Sequence, residues 1–242
     1  MYDDGLLEKG LDELGLSISD LQMDQLHRYY EMMVDVNRVM NLTAITEYEE
    51  VCVKHWLDSL CLVKAIAANE LAGPLNVIDV GTGAGFPGVP LKIFFPQWKI
   101  TLLDSLGKRV RFLEQVVDEL KLTDVKCVHG RAEELGRQAG YREQYDLCVS
   151  RAVTRMASLT ELCLPLVSPG GAMVAYKSAE SDEEIAEAGK AVLVMGGAIE
   201  QQEKFFVPGS EYGRNLVVVR KKSPTTSKYP RGGGKPMKQP IV

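Results

Sequence analysis

The sequence predicts a doubly wound α/β fold, a Rossmann-like seven-stranded sheet that ends in an antiparallel hairpin and follows an N-terminal helical extension. Residues 3–70 carry helical patterns only, and strand and helix patterns alternate from residue 75 onward. The last two strand patterns, 198–206 and 214–219, are separated by too few residues for the helical crossover that parallel strands need. These two strands are therefore expected to pair antiparallel.

Residues 1–73 are predicted to form the helical extension. We expect it to pack on the sheet and to cover the functional site at the sheet's edge. Ser19 and Gln22 match a capping box ahead of apolar residues at helical spacing. Thr46 is expected to cap a second helix and Asp58 a third.

Residues 74–221 are predicted to form the sheet domain and residues 222–242 a basic tail, the whole chain being a single compact unit. The expected strands are 75–80, 99–104, 125–128, 145–150, 171–176, 198–206 and 214–219, and the expected helices between them are 87–95, 108–121, 154–165 and 181–195.

Composition and charge are those of a globular protein. Of 242 residues, 45% are hydrophobic and 25% charged, enough for a substantial core. The five cysteines form no C-x-x-C pair, which favours reduced buried thiols and no metal site. Because the N-terminus lacks an apolar signal core and no apolar run is long enough for a membrane span, we expect a cytoplasmic protein that does not enter membranes.

The charge is unevenly distributed along the chain. The net charge is −5, yet from Arg220 to the end there are seven basic residues and no acidic ones, so that residues 1–219 carry −12. A basic tail on an acidic body fits contact with a phosphate backbone. It fits equally well a solvated terminus that only maintains solubility.

A glycine-rich turn at residues 81–88 follows the first predicted strand and matches two cofactor patterns. Residues 83–88 match G-x-G-x-x-G, and Asp104 lies about 20 positions further on, as in dinucleotide-binding proteins. Residues 79–85 match D-x-G-x-G-x-G, a pattern known from class I methyltransferases that use S-adenosylmethionine. The antiparallel ending of the sheet favours the methyltransferase.

Ligands of open α/β sheets bind at the carboxyl ends of the strands, where three further candidates occur. Asp104 ends the second strand and can accept hydrogen bonds from a ribose diol, or cap the next helix. Residues 130–134 follow the third strand and can meet an adenine edge, or merely begin a helix. Arg151 ends the fourth strand, where a charge needs a partner.

The residues after the fourth strand indicate which methyl acceptor is suitable. The Asn or Asp followed by Pro-Pro-aromatic that is common in amine methyltransferases is absent there, and Cys148 and Cys163 lie within predicted elements as core residues. A purine ring nitrogen already has a free lone pair and needs no general base, only orientation and electrostatics. The sequence permits ring-nitrogen methylation and disfavours amine or carbon targets.

Several motifs together resemble one bacterial family, the small-subunit ribosomal RNA guanine nitrogen-7 methyltransferases, also known as the glucose-inhibited division protein B family. The motifs are Asn41–Thr46, His55–Leu60, Asp79–Gly88, Leu102–Arg109, Gly130–Glu133, Ser150–Ala152 and Leu164–Gly171. The resemblance implies a monomeric enzyme that uses S-adenosylmethionine to methylate a guanine in the 530 loop of 16S ribosomal RNA, as naked RNA or within a small-subunit particle. Another S-adenosylmethionine-dependent methyltransferase, of a small molecule or a protein, and a dinucleotide-dependent oxidoreductase are the alternatives.

The patterns and the resemblance together give the expected site residues. Those expected to bind the cofactor are Asp79, Gly81, Gly83, Gly85, Phe86, Asp104, Ser105, Ala132, Glu133 and Arg151. Those expected to contact RNA are Lys108, Arg109, Arg111, Lys177, Lys221, Lys222, Lys228 and Arg231. Arg151 and Lys177 are the candidates for gripping the guanine.

Overall fold

The computed structural model describes residues 2–151 and 153–242, whose strands form one seven-stranded sheet. The strands are β1 (Asn76–Val80), β2 (Lys99–Asp104), β3 (Val125–His129), β4 (Tyr145–Arg151), β5 (Val167–Ser178), β6 (Gly197–Phe206) and β7 (Gly213–Lys221). Their order is β3-β2-β1-β4-β5-β7-β6, with β1 to β5 parallel and β7 antiparallel to both neighbours. The predicted sheet and its antiparallel ending are confirmed. Ala152, the last residue of one family motif, lies outside the described residues.

Helices cover both faces of this sheet. They are α1 (Gly5–Glu13), α2 (Asp20–Met40), α3 (Tyr48–Val51), α4 (Asp58–Leu60), α5 (Leu62–Ala65), α6 (Ala68–Leu71), α7 (Gly88–Phe94), α8 (Gly107–Glu119), α9 (Ala132–Leu135), α10 (Met156–Cys163), α11 (Asp182–Glu187), α12 (Gly189–Val194) and α13 (Lys235–Lys238). A π-helical segment, Cys52–Leu57, joins α3 to α4. Within residues 2–151 and 153–242, none of these helices has the length and apolar character needed to cross a membrane.

The helix starts in the extension agree only partly with the sequence. Ser19 caps α2 in the predicted box, since its backbone N–H donates to Gln22 Oε1 at 2.9 Å and the Gln22 N–H donates back to Ser19 Oγ at 3.4 Å. The expected cap at Thr46 is wrong, because α3 begins at Tyr48 without a side-chain cap. The cap at Asp58 is also wrong, because the backbone before Asp58 is already helical and its carboxylate is bound by arginines.

Alternate strand residues face two different layers. Val77 belongs to the apolar cluster that contains Trp56 and the other buried residues of the extension. Its neighbour Ile78 belongs to a second cluster with Leu159 of α10 and Val192 of α12. Because successive strand residues point to opposite faces, the extension covers one face of the sheet and α10 to α12 the other.

Candidate cofactor site and its surroundings

The glycine turn has the left-handed backbone that its sequence predicts. Gly81, Gly83 and Gly85 have φ angles of +73°, +63° and +112°. A Cβ atom at Gly81 would lie 2.4 Å from Val153 Cγ2, and one at Gly85 would lie 2.5 Å from Tyr29 Oη. Only glycine fits these two positions, because conformation and space both exclude a side chain.

Tyr29 of α2 holds the turn from the side of the extension. This fully buried residue donates a hydrogen bond from its hydroxyl to the Ala84 carbonyl at 2.6 Å. Its ring also packs against Phe86 at a centroid distance of 5.4 Å. The helical extension therefore contributes directly to the shape of the cofactor turn.

Asp79 lies buried beneath the turn with one carboxylate oxygen unpartnered. Oδ2 accepts a hydrogen bond from the Gly88 N–H at 2.8 Å, while Oδ1 has no hydrogen-bond partner within residues 2–151 and 153–242. Burial raises the pKa of Asp79 to about 7, although the nearby Thr82 side chain and the Gly88 N–H oppose the shift. An unpartnered buried carboxylate oxygen suits a cationic ligand.

Asp104 at the end of β2 fastens the turn to the neighbouring strand. Its Oδ2 accepts from the Gly83 N–H at 3.0 Å and its Oδ1 from the Leu106 N–H at 2.8 Å. Arg109 lies 3.4 Å from Oδ2. The carboxylate thus meets the backbone just before α8, but it does not cap that helix, which begins after Leu106 without a side-chain cap. Because a carboxylate has about four acceptor positions, Asp104 can still accept from a diol.

A cleft of about 140 Å³ opens beside these groups at the carboxyl edge of the sheet. Five of the residues expected to bind the cofactor line it, namely Gly81, Asp104, Ser105, Ala132 and Glu133. Val80, Leu103, Val153 and Leu162 add apolar walls. A cleft with apolar walls and two carboxylates in its lining fits the adenosine portion of S-adenosylmethionine.

Phe86 extends the site toward the extension. The His55 ring stacks on it at a centroid distance of 4.2 Å and an interplanar angle of 21°. The guanidinium carbon of Arg151 lies 5.0 Å from the centre of the same ring. The structure therefore brings two of the predicted site residues, Phe86 and Arg151, together with a histidine from one of the family motifs.

Asp58 is a central residue of the site that the sequence analysis misassigns. It is fully buried and accepts from Arg151 Nη1 at 2.7 Å, from Arg214 Nε at 2.7 Å and from Arg214 Nη2 at 2.6 Å. His55 and Asp58 each contact Arg151, so the arginine connects them. The need of a strand-end arginine for an anion was the available signal, but the sequence did not indicate which acid supplies it.

His55 connects the hydrogen-bond network around Asp58 and Arg151 to the helical extension. Burial, and secondarily Arg151, lowers the pKa of His55 to about 3, so the imidazole is neutral. Nδ1 lies 3.1 Å from Arg151 Nη2 and 3.0 Å from the Lys54 carbonyl, and Nε2 lies 2.9 Å from Thr43 Oγ1, so both ring nitrogens have hydrogen-bond partners. The Thr43 N–H donates to Asn37 Oδ1 at 2.9 Å. The loop after α2 is thereby connected to the end of β4.

Three basic residues expected to contact RNA lie on the first turns of α8. Lys108 and Arg111 are exposed, and Arg109 is half-buried beside Asp104. The Lys108 ammonium also lies 3.4 Å from the Met40 carbonyl at the end of α2. Of the three, Arg109 contacts a residue of the predicted cofactor cleft, Asp104.

Two other lysines that were expected to contact RNA are hydrogen-bonded to groups of the protein itself. Lys177 donates to the Thr154 carbonyl at 2.6 Å and pairs with Glu184, contacts that do not support a grip on guanine. Lys221 is buried and donates to the Leu164 carbonyl at 2.8 Å, and burial lowers its pKa to about 8. The predicted RNA contact of Lys221 is therefore wrong.

Arg231 is likewise held by the protein, while two of the lysines expected to contact RNA stay exposed. The Arg231 guanidinium binds the buried carboxylate of Glu161, with Nη2 at 2.6 Å from Oε2, and its contact with RNA stays a prediction. Lys222 and Lys228 are exposed, and their contact with RNA stays a prediction.

Comparisons with known proteins cover nearly the whole chain. The family described as GidB, rRNA small subunit methyltransferase G, matches residues 22–216. The ribosomal RNA small subunit methyltransferase G of Lachnoclostridium phytofermentans is 45% identical over 242 residues, which are 100% of this chain and 99% of the relative. That of Alkaliphilus metalliredigens is 48% identical over 236 residues, 98% of each chain.

A solved structure supports the fold independently of the sequence. A SAM dependent methyltransferase from Aquifex aeolicus aligns with a TM-score of 0.54 at 17% identity, covering 74% of this chain and 96% of that one. At this identity the likeness bears on the fold alone.

Proposed function

The chain belongs to the GidB family of rRNA small subunit methyltransferases, and on that premise we propose that it methylates nitrogen 7 of a guanine in the 530 loop of 16S ribosomal RNA. The observation that carries the proposal is the match to relatives over the full length of the chain. The fold is that of class I S-adenosylmethionine-dependent methyltransferases, and S-adenosylmethionine is the cofactor. We further propose a monomer that acts on the RNA or on a small-subunit ribosomal particle.

S-adenosylmethionine supplies an electrophilic methyl group on a sulfonium, and the residues of the cleft are suited to hold such a molecule. In our proposal Asp104 accepts from the ribose hydroxyls, and Ala132 and Glu133 meet the adenine edge. The turn from Gly81 to Phe86 surrounds the methionine portion. The unpartnered oxygen of Asp79 lies beneath this turn, where a nearby positive charge or a further hydrogen-bond donor would stabilise its ionised form.

Nitrogen 7 of guanine carries a lone pair and no proton, so its methylation requires no general base. His55 agrees with this requirement, because its pKa of about 3 keeps it neutral and both of its ring nitrogens are already hydrogen-bonded. The contribution of the protein is then orientation and electrostatics. In the proposal Arg151 binds the guanine oxygen. Its contacts to Lys54, Asp58 and His55 leave N–H donors free for that hydrogen bond.

The substrate is tested by mapping 7-methylguanine on 16S ribosomal RNA from cells that lack the protein. We expect the modification in the 530 loop to disappear and to return with the wild-type chain but not with Asp104→Ala. A 530 loop that stays methylated without the protein would end the assignment. Methyl transfer to a protein or a small molecule, with none to RNA, would favour the alternative of a protein or small-molecule methyltransferase.

The cofactor site is tested separately by calorimetry with S-adenosylhomocysteine. Loss of two charged hydrogen bonds in Asp104→Ala should weaken binding about 100-fold, and Gly83→Val should abolish it because of the positive φ. Asp118→Ala, on the exposed side of α8, is the matched control. Unchanged affinity for S-adenosylhomocysteine in both site variants would exclude the proposed cofactor site. Binding of a nicotinamide cofactor would favour the dinucleotide-dependent oxidoreductase instead.

A further inference from the structure

The basic tail does not extend into solvent but folds back along α10. Glu161 accepts from both Nε and Nη2 of Arg231, at 2.9 and 2.6 Å, and also from the Arg231 N–H at 2.7 Å. One helical turn earlier, Ser158 Oγ donates to the Pro236 carbonyl at 2.7 Å. Both anchoring side chains on α10 are buried, which makes these contacts strong ones.

A second set of anchors comes from the segment after α9. Arg142 donates to the Thr225 carbonyl at 2.5 Å and to the Tyr229 carbonyl at 2.8 Å. Arg137 donates to the Pro230 carbonyl at 2.7 Å. The tail is therefore fixed between α9 and α10, the two elements that bound the cofactor cleft on this side.

The fixed tail places Met237 at the cleft. Met237 of α13 and Leu162 of α10 line the same cleft as Asp104 and Glu133. Despite being apolar, Met237 is 51% exposed, and the surface it exposes borders a cleft expected to receive a flat aromatic ring. Its flexible thioether is a side chain that packs favourably against aromatic faces.

We infer that the C-terminal segment completes the adenosine end of the cofactor cleft, with Met237 packing against the adenine ring. The inference rests on the cofactor site proposed above, and it assigns the tail a role in holding cofactor in addition to any contact that its exposed lysines make with RNA. Asp104 and Glu133 supply hydrogen-bond acceptors at the rim, while Leu162 and Met237 supply the apolar surface.

Calorimetry with S-adenosylhomocysteine tests this role in the full-length chain. Met237→Ala should raise the dissociation constant about tenfold, through loss of the thioether contact and the apolar area. Gln239→Ala is the matched control, because it truncates an equally long, exposed and uncharged side chain two positions away. Equal affinity of Met237→Ala and wild type would overturn the inference, whereas failure of the wild type to bind would remove the proposed cofactor site itself.

Proteolysis supplies a readout that does not depend on affinity. Saturating S-adenosylhomocysteine should slow trypsin cleavage after Lys238 in the wild type, because the ligand buries the neighbouring Met237. Arg231→Ala should speed cleavage without ligand and weaken binding, since the anchor to Glu161 is lost. Cleavage after Lys238 at the same rate with and without bound ligand would contradict contact between the tail and the cofactor.

Discussion

The buried carboxyl of Asp79 makes stability and cofactor binding respond in opposite directions to one substitution. Asp79→Asn keeps an oxygen that can accept from the Gly88 N–H, removes the charge, and replaces the second carboxylate oxygen by an uncharged amide NH2 group. The carboxylate is the form that burial destabilises, and it is also the form that a cationic cofactor stabilises. We therefore expect the cofactor-free variant to be more stable than wild type at neutral pH and to bind S-adenosylmethionine more weakly.

The magnitude follows from the pKa. Burial raises the pKa of Asp79 from its ordinary value of 3.8 to about 7. Because the folded carboxyl holds its proton more tightly than the unfolded one, its contribution to stability is complete below pH 3.8 and is lost as the pH rises through about 7. A change of this size corresponds to about 4 kcal/mol in the free energy of unfolding. Asparagine has no such loss, so the advantage of the variant should grow by about 4 kcal/mol across this window.

Urea unfolding of the cofactor-free proteins between about pH 4 and pH 8 measures this difference. Asp12→Asn, an exposed carboxylate on α1, controls for the general change in net charge. A stability difference between Asp79→Asn and wild type that does not change with pH would refute the reasoning. So would an Asp79→Asn protein that binds S-adenosylmethionine as tightly as wild type at pH 8.

Three further predictions concern the supports of the site. Asp58→Ala leaves two buried arginines without their anion, and we expect a loss of about 3–5 kcal/mol in the urea-unfolding free energy; an unchanged midpoint would mean that water replaces the carboxylate. Tyr29→Phe leaves the Ala84 carbonyl unpaired and should cost about 1–3 kcal/mol, with weaker S-adenosylhomocysteine binding; unaltered affinity would show that the turn holds its shape without this hydrogen bond. Lys108→Ala combined with Arg111→Ala should lower the slope of RNA affinity against salt by about 2 while sparing cofactor binding; an identical slope would place the RNA elsewhere.

The order of the strands and the cofactor turn could be predicted because their signals are local. The strand predicted over residues 99–104 has those bounds in the structure, and the six-residue link before β7 left only an antiparallel pairing. Strand ends that depend on pairing with a strand distant in sequence were harder to predict from the sequence. Strand β5 begins at Val167, four residues before the predicted start, because Val167 pairs with Tyr145 across an irregularity in β4.

The network around Asp58 could not be predicted, because its members come from separate parts of the chain. Asp58 and Arg214 are 156 positions apart, and Asp58 and Arg151 are 93 apart. A sequence pattern indicates that a buried arginine needs an anion, but the fold alone determines which carboxylate reaches it. Asp58 therefore looked like a helix cap, the commonest local role of an aspartate that precedes apolar helical residues.

The tail shows why a count of charges does not define an electrostatic surface. Arg220 pairs with Glu70 and Glu200, Lys221 with Glu143, and Arg231 with Glu161, so each of these three basic residues neutralises acids of the body. The sequence separates the two signs by chain position, which made the tail resemble a free basic arm. Folding brings them together, and the positive charge that remains exposed lies on Lys222, Lys228, Lys235 and Lys238. Ion pairing thus occupies three of the seven basic residues, and the position of the tail on α10 is what sets Met237 beside the cleft.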